Sequence, residues 1–444
     1  MPVLACEVAR FLFVMANASQ RLLDEDISDQ STDGLSRDTE SGLVVTEYDA
    51  FGWTVFISQT PILAKMAWPV LVSYLLSFSI NVASVFSLGH VGTKELAACA
   101  LSTMLCNVTG FSVGQGMASA LDTLCSQSHT GSQDPYALGK HLQRSIVVMF
   151  LLSIPISLLW CFTTPLLLMV GQDPEISALA GKYTLFMIPA LFPFLVGDCL
   201  RRYLQGQGIM KASMYITLAA SLFNIFLQWL FVWSPWSVGF IGAAIATSIT
   251  DAMLPVLHIL YIAFVQGKKT WGGWDWNEAT DTAQLYKFVE FGIPGVLMMC
   301  AEWWAFEIIA LAAGILGDDI LAAQTIVLNT CSLFYMNPLG VSIATSVRIG
   351  NTLGSNKPNT SRHVAFTAII LAFCVALFNA GTIFGFRNVW GYLFTSDKAV
   401  VLIVAQILPL AAQFQFNDCL GAICAGILRG SGRQKIGAII NIVG

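Results

Sequence analysis

Between positions 300 and 307 the chain reads Cys-Ala-Glu-Trp-Trp-Ala-Phe-Glu. Two carboxylates and three aromatic rings share one short apolar run, with no basic residue beside them. Carboxylates offer charge complementarity to a cation, and a Trp face such as that of Trp303 adds cation–π attraction. A carboxyl group taken out of water also tends to keep its proton towards neutral pH, which suits proton exchange. At 100° per residue, positions five apart on a helix diverge by about 140°. One of Glu302 and Glu307 can therefore face a cleft while the other faces a neighbouring helix, and Pro294 upstream can bend the helix and alter that geometry. Aromatics alone would read as packing. Two acids among them read as a binding site.

Few other residues could do comparable chemistry. Asp122, Asp198, Asp251, His258 and Asp418 lie in or at the ends of apolar runs, where an ionisable group costs several kcal/mol unless it lines water or finds a partner. Arg201 and Arg202 follow Asp198 closely enough to neutralise it, and Asp122 reads as a helix-end group that caps or pairs with loop atoms. Asp251 and His258 are two turns apart on one helix, hence on roughly one face, and could bond to each other or across a bundle; they form a secondary candidate site. The 11 Cys are scattered singly and the 5 His lie far apart, so no metal-ligand spacing emerges. No nucleophile stands beside a base, so neither catalytic residues nor a cofactor are expected.

The elements that position these residues follow from composition. Of 444 residues, 56% are apolar and only 11% charged, with net charge −5 and mean hydropathy +0.69. A soluble globule has about 25% charged residues, and a nucleic-acid binder needs a basic surface. What remains is an all-α polytopic membrane protein, whose helices satisfy their own backbone in lipid. Apolar runs of bilayer length fall near 66–88, 96–120, 142–162, 178–198, 212–233, 239–265, 288–316, 320–345, 363–386 and 399–425. An eleventh starts near Ile436, with nine residues to Gly444. Residues 1–60 form an acidic, Ser-rich tail expected to be disordered. Residues 61–266 form a six-helix bundle, 267–287 a linker, and 288–444 a second bundle holding helices 7 to 10 and the start of 11. Of the 22 Lys and Arg, 14 fall in the even-numbered connections, 4 in the odd-numbered ones and 4 in the tail. That bias places the tail and the linker in the cytosol.

The two bundles are repeats. Gly89-His-Val-Gly92 with Leu96-Ala-Ala98 matches Gly314-Ile-Leu-Gly317 with Leu321-Ala-Ala323 at a constant offset of 225. Leu204-Gln-Gly206-Gln-Gly208 with Lys211 matches Leu428-Arg-Gly430-Ser-Gly432 with Lys435 at 224. Six spans separate equivalent points, so the copies are parallel and related by a pseudo-two-fold axis along the membrane normal. On this arithmetic the second copy, as it stands, lacks most of its fifth helix and all of its sixth.

Several motifs in order resemble the MATE (multidrug and toxic compound extrusion) family, eukaryotic branch, from about Ala64 onward. They are Gly89-His-Val-Gly-Thr-Lys-Glu-Leu-Ala-Ala98, Asn107-Val-Thr-Gly110, Ser119-Ala-Leu-Asp-Thr-Leu124 with Gln127, Glu302-Trp-Trp with Glu307, Tyr335-Met-Asn-Pro338, Arg348-Ile-Gly-Asn351 with Gly354, and Gly426-Ile-Leu-Arg-Gly-Ser-Gly432. The resemblance implies a secondary antiporter, not an enzyme, that exports organic and often cationic solutes or xenobiotics by alternating access. H+ is the expected coupling ion and Na+ the alternative. It implies substrate and ion binding by Glu302, Glu307 and Asp418, with Asn329, Trp303 and Tyr335 around them. Asp418 stands where animal members have Glu, Asn329 where they have a further Glu, and Ser84 near the first-helix acid of bacterial members. Expected partners are a small organic solute and the lipid bilayer, for a monomer in the plasma or vacuolar membrane. Two rivals stand beside this reading: a two-bundle transporter of lipid or anionic solutes, and, more remotely, an intramembrane acyltransferase or hydrolase.

Overall fold

The computed structural model describes residues 53–443 except 90, 236, 317 and 396, with backbone alone at 54, 93, 307, 310–316, 318–319, 321 and 442–443. The first lobe comprises α1 (Trp53–Gly89), α2 (Thr93–Cys106), a π-helical turn at Asn107–Phe111, α3 (Ser112–Ala118), α4 (Ala120–Gly131), α5 (Ala137–Cys161), α6 (Thr163–Met169), α7 (Pro174–Gly206), α8 (Lys211–Gln228) with a π turn at Trp229–Trp233, and α9 (Phe240–Phe264). A link containing α10 (Trp276–Ala279) leads to the second lobe: α11 (Thr282–Leu316), α12 (Asp318–Gly354), α13 (Pro358–Trp390), α14 (Lys398–Gly430) and α15 (Gln434–Val443).

Among the described residues nine helical segments are long and apolar enough to cross a membrane. The tenth expected span, 288–316, lies within the unbroken 35-residue α11, whose apolar run carries Glu290 and Glu302. The boundary set at 60 moves: α1 begins at Trp53, because Trp53-Thr-Val-Phe-Ile57 already continues the apolar pattern. The linker boundary at 287 moves for a different reason: α11 starts at Thr282, where the Asp281 side chain accepts from the Ala283 amide at 3.0 Å.

Large apolar side chains such as Leu158, Leu222, Phe226, Phe378 and Leu410 point outward, while Ser73, Thr217, Asn224, Gln228, Asn379 and Gln415 are buried. Lipid supplies no hydrophobic drive between helices, so small and polar residues form the contacts instead. In the first lobe α7 packs against α2, α5 and α9, and α1 against α8; in the second, α12 packs against α13 and α14.

The repeat is visible in the helix ends. Asp173 caps α7, accepting from the amides of Glu175 and Ile176, and Asp397 caps α14, accepting from the amide of Ala399. Gly208 and Gly432 close the two helices at φ 77° and 73°, where a side chain would be strained. Trp160 at the end of α5 donates to Thr109 at 2.9 Å, and Trp390 at the end of α13 donates to Thr330 at 2.7 Å.

The lobes meet through α1 on α12, α3 on α11 and α4 on α12. The end of the molecule that carries Gly131 and Gly354 is closed by near backbone contact. A Cβ on Gly131 would lie 2.7 Å from the Gly354 carbonyl oxygen, and one on Gly116 2.5 Å from Cα of Val296. Rigid backbone cannot give way as a side chain can, so Gly116→Val should cost about 1–3 kcal/mol and lower the melting temperature of the purified protein. An unchanged melting temperature would mean that the lobes do not touch there in solution.

On the same end the linker is pinned to the first lobe. Glu278 pairs with Lys140 at 2.7 Å and Arg144 at 2.6 Å, and Asp275 N–H donates to Gln143 at 3.0 Å. Asp134, between α4 and α5, is held below the usual carboxylate range by the Tyr136 amide and then by Lys140.

Candidate functional site

Glu302 stands on α11, Asp418 on α14, and Tyr335 with Asn329 on α12. The structure brings the first three together. Glu302 and Asp418 are near enough to act on each other electrostatically, and both act on Tyr335. Glu302 accepts a hydrogen bond from Asn441 on α15 at 3.3 Å. A small cavity beside it is lined by Ser119, Gly295, Met298, Met299, Glu302 and Arg429, so residues of both lobes bound it. Two acids from different helices thus stand within electrostatic reach of each other, one of them on the cavity wall, an arrangement that suits a cation or a proton.

Behind this pair an amide ladder fixes the helices. Asn337 donates to Asn379 at 2.9 Å, and Asn379 donates to Gln415 at 3.0 Å and to the Phe334 carbonyl at 3.1 Å. Asn379 and Gln415 are fully buried. The ladder ties α12, α13 and α14 into one body and holds the turn of α14 from which Asp418 projects.

Trp303 is half-buried beside Glu302, and Asn329 is exposed on α12. The Glu307 side chain lies outside the described residues. Trp304, which the sequence reading passed over, crosses to the other lobe: its Nε1 donates to the Val108 carbonyl at 3.1 Å, inside the first π turn. No local signal in the sequence marks this contact, because the acceptor is a backbone carbonyl of the other lobe.

The secondary candidate does not assemble as the spacing allowed. His258 Nδ1 bonds to the carbonyl of Leu254 in its own helix at 2.8 Å, and Nε2 has no hydrogen-bond partner among the described residues. Asp251 is therefore not bonded to His258, although both are buried. Ser84 belongs to a neutral network: it accepts from Gln228 at 2.7 Å and contacts Thr247 at 3.2 Å.

Asp122 is no simple cap. Arg202 joins it at 2.5 Å and Asp198 at 3.0 Å, and Asp198 also pairs with Arg201. From the second lobe Arg429 Nε approaches the same Asp122 oxygen at 3.5 Å, while its Nη2 donates to Ser342 at 3.0 Å. Around this cluster Gln127 donates to the Gly430 carbonyl at 3.0 Å, Thr123 to that of Arg429, and Gln434 to the Ser119 carbonyl at 3.2 Å. An ion network therefore spans the closed end.

The chain matches the MatE family over residues 69–230 and 294–444. It is 38% identical to an uncharacterized transporter of Schizosaccharomyces pombe, over 91% of this chain and 74% of that one. It is 36% identical to Multidrug and toxin extrusion protein 1 of Mus musculus, over 88% of this chain and 68% of that one. The eukaryotic MATE transporter AtDTX14 superposes with a TM-score of 0.82 at 33% identity, covering 88% of this chain and 86% of that one.

Proposed function

The chain belongs to the MATE family, and we propose that it is a secondary antiporter that exports organic cations in exchange for H+. The observation that carries this reading is the pairing of Glu302 with Asp418 in the second lobe, beside Tyr335 and next to a cavity bounded by both lobes. Two unneutralised carboxylates in a membrane interior are costly, and a bound cation or a proton removes that cost. Either occupant excludes the other, so protons and cationic solute compete for one place. The mouse relative's name, multidrug and toxin extrusion, supports organic solutes as cargo. The carboxylates argue against anionic cargo.

The cycle is a rocking of two rigid lobes about their contact. With the tail and the linker in the cytosol, the closed end is the cytosolic one, and exchange with the other side requires the site to open there. Protons taken up there displace the cation outward; reclosing and opening to the cytosol lets the proton leave and cargo enter. Glu302 and Asp418 hold the exchanging charge, Tyr335 and Trp303 shape the place around it, and the amide ladder keeps α14 in position.

The test is uptake of a cationic dye, ethidium, into proteoliposomes with an imposed pH gradient, set against an equal Na+ gradient. The pH gradient should drive uptake and the Na+ gradient should not. Dye movement that ignored both would end the antiporter reading, and movement driven by Na+ alone would replace the coupling ion.

A further inference from the structure

The cluster at the closed end is not electrically balanced by itself. Among the described residues it holds three guanidinium groups, from Arg201, Arg202 and Arg429, against two carboxylates, Asp122 and Asp198. Arg201 and Arg202 both stay with Asp198 on their own helix. Arg429 is the member from the other lobe, and its hold on Asp122 is the longest of the set at 3.5 Å. It also lines the small cavity that Glu302 lines, and it acts electrostatically on Glu302. One cation thus stands between two anions: Asp122 across the lobe boundary and Glu302 within its own lobe.

From this placement we infer that Arg429 is a coupling residue that alternates between Asp122, where it latches the lobes, and Glu302, where it takes the place of the bound proton or cation. The inference rests on the proposed antiport. With the end closed, Asp122 occupies Arg429, and Glu302 must neutralise its charge with a proton or with cargo. When the lobes part, Asp122 moves away with Arg202, which still satisfies it. Arg429 is left without an anion in a low-dielectric site, where an unpaired charge is costly, and Glu302 supplies one through a charge-assisted bond. The proton on Glu302 then leaves on the side that has just opened. Cargo that binds Glu302 sends Arg429 back to Asp122 and closes that end. Glu302 is faced by Arg429 and Asp418 from α14, Tyr335 from α12 and Asn441 from α15, with Tyr74 of α1 acting on Tyr335. Of these groups Arg429 is the one cation.

The experiment measures the opening of the closed end in the full chain in liposomes. Spin labels go on cysteines at the exposed Ser132 and Ser355, after other exposed cysteines, Cys161 and Cys374 among them, are replaced by Ala. Raising the pH from about 5.5 to about 8, a range that brackets a buried carboxyl, deprotonates Glu302 and should shift the wild type from the short distance towards the long one. Glu302→Gln should stay short throughout, and Asp122→Asn and Arg429→Gln long throughout, while Arg429→Lys should recover the pH response. A wild-type pH response in Arg429→Gln or Glu302→Gln, or none in the wild type, overturns the inference. If Arg429→Gln fails to fold, Glu302→Gln decides alone. Ethidium uptake by the wild type separates the two ideas: uptake driven by the pH gradient without the label response sinks the coupling role and leaves the antiport standing, whereas the label response without driven uptake sinks the antiport.

Discussion

Glu302→Gln and Asp418→Asn should each reduce pH-driven cation transport by about 10- to 100-fold while leaving the amount of folded protein near wild type. The size follows from what is removed. A contact to a charged group is worth about 1.5–3 kcal/mol, and 1.4 kcal/mol is a factor of ten in affinity. The sign of the pH dependence follows from competition: the wild type should bind cation weakly at low pH, where protons hold the acids, and strongly at high pH, where they are free. An amide mimics the protonated acid at every pH, so each variant should bind weakly across the range with a flattened profile. Asp251→Asn serves as the comparison, because Asp251 lies in the other lobe and is not bonded to His258. It should keep the wild-type profile. The measurement is the initial rate of ethidium uptake per folded protein between about pH 5.5 and 8. Wild-type profiles in both acid variants would make the carboxylates structural, and a profile lost only in Asp251→Asn would move coupling to the first lobe.

The sequence carried the large features because they are written in local statistics. Runs of bilayer length mark the spans, and helices began earlier than expected where the apolar pattern continued, as at Trp53. The repeat was legible because equal spacings meet equal geometry: Gly208 and Gly432 share a left-handed backbone. Asp198 with Arg201 and Arg202 was readable too, since residues three and four apart meet on a helix. The contact of Asp122 with Arg429 was not, because it joins two lobes across most of the chain and no local pattern announces it. Glu302 and Asp418 could be singled out by cost alone, but their nearness depends on how α11 and α14 pack. The same holds for Trp304, whose partner is a carbonyl on the other lobe rather than a side chain with its own signal.

Charge pairs of similar length should differ widely in what they contribute to stability, and the buried cluster gives the scale. Arg202→Met should destabilise most, because Arg202 serves both Asp122 and Asp198; breaking a buried pair costs about 3–5 kcal/mol, since the partner left behind is an uncompensated charge. Asp198→Asn should follow, as it leaves Arg201 without its anion while Arg202 keeps Asp122. Arg201→Met should cost less: Asp198 retains Arg202, and the Arg201 head, 4.9 Å above the Tyr74 ring, is the less committed of the two. Glu290→Gln removes a 2.7 Å pair with Lys435 whose side chains are 41% and 69% exposed, and pairs so open to solvent contribute little to stability. Melting temperatures of the four variants in one lipid should therefore fall in that order. A Glu290→Gln loss equal to that of Arg202→Met would mean that the cluster is hydrated rather than buried, and a hydrated cluster could not leave Arg429 in need of Glu302 when the lobes part.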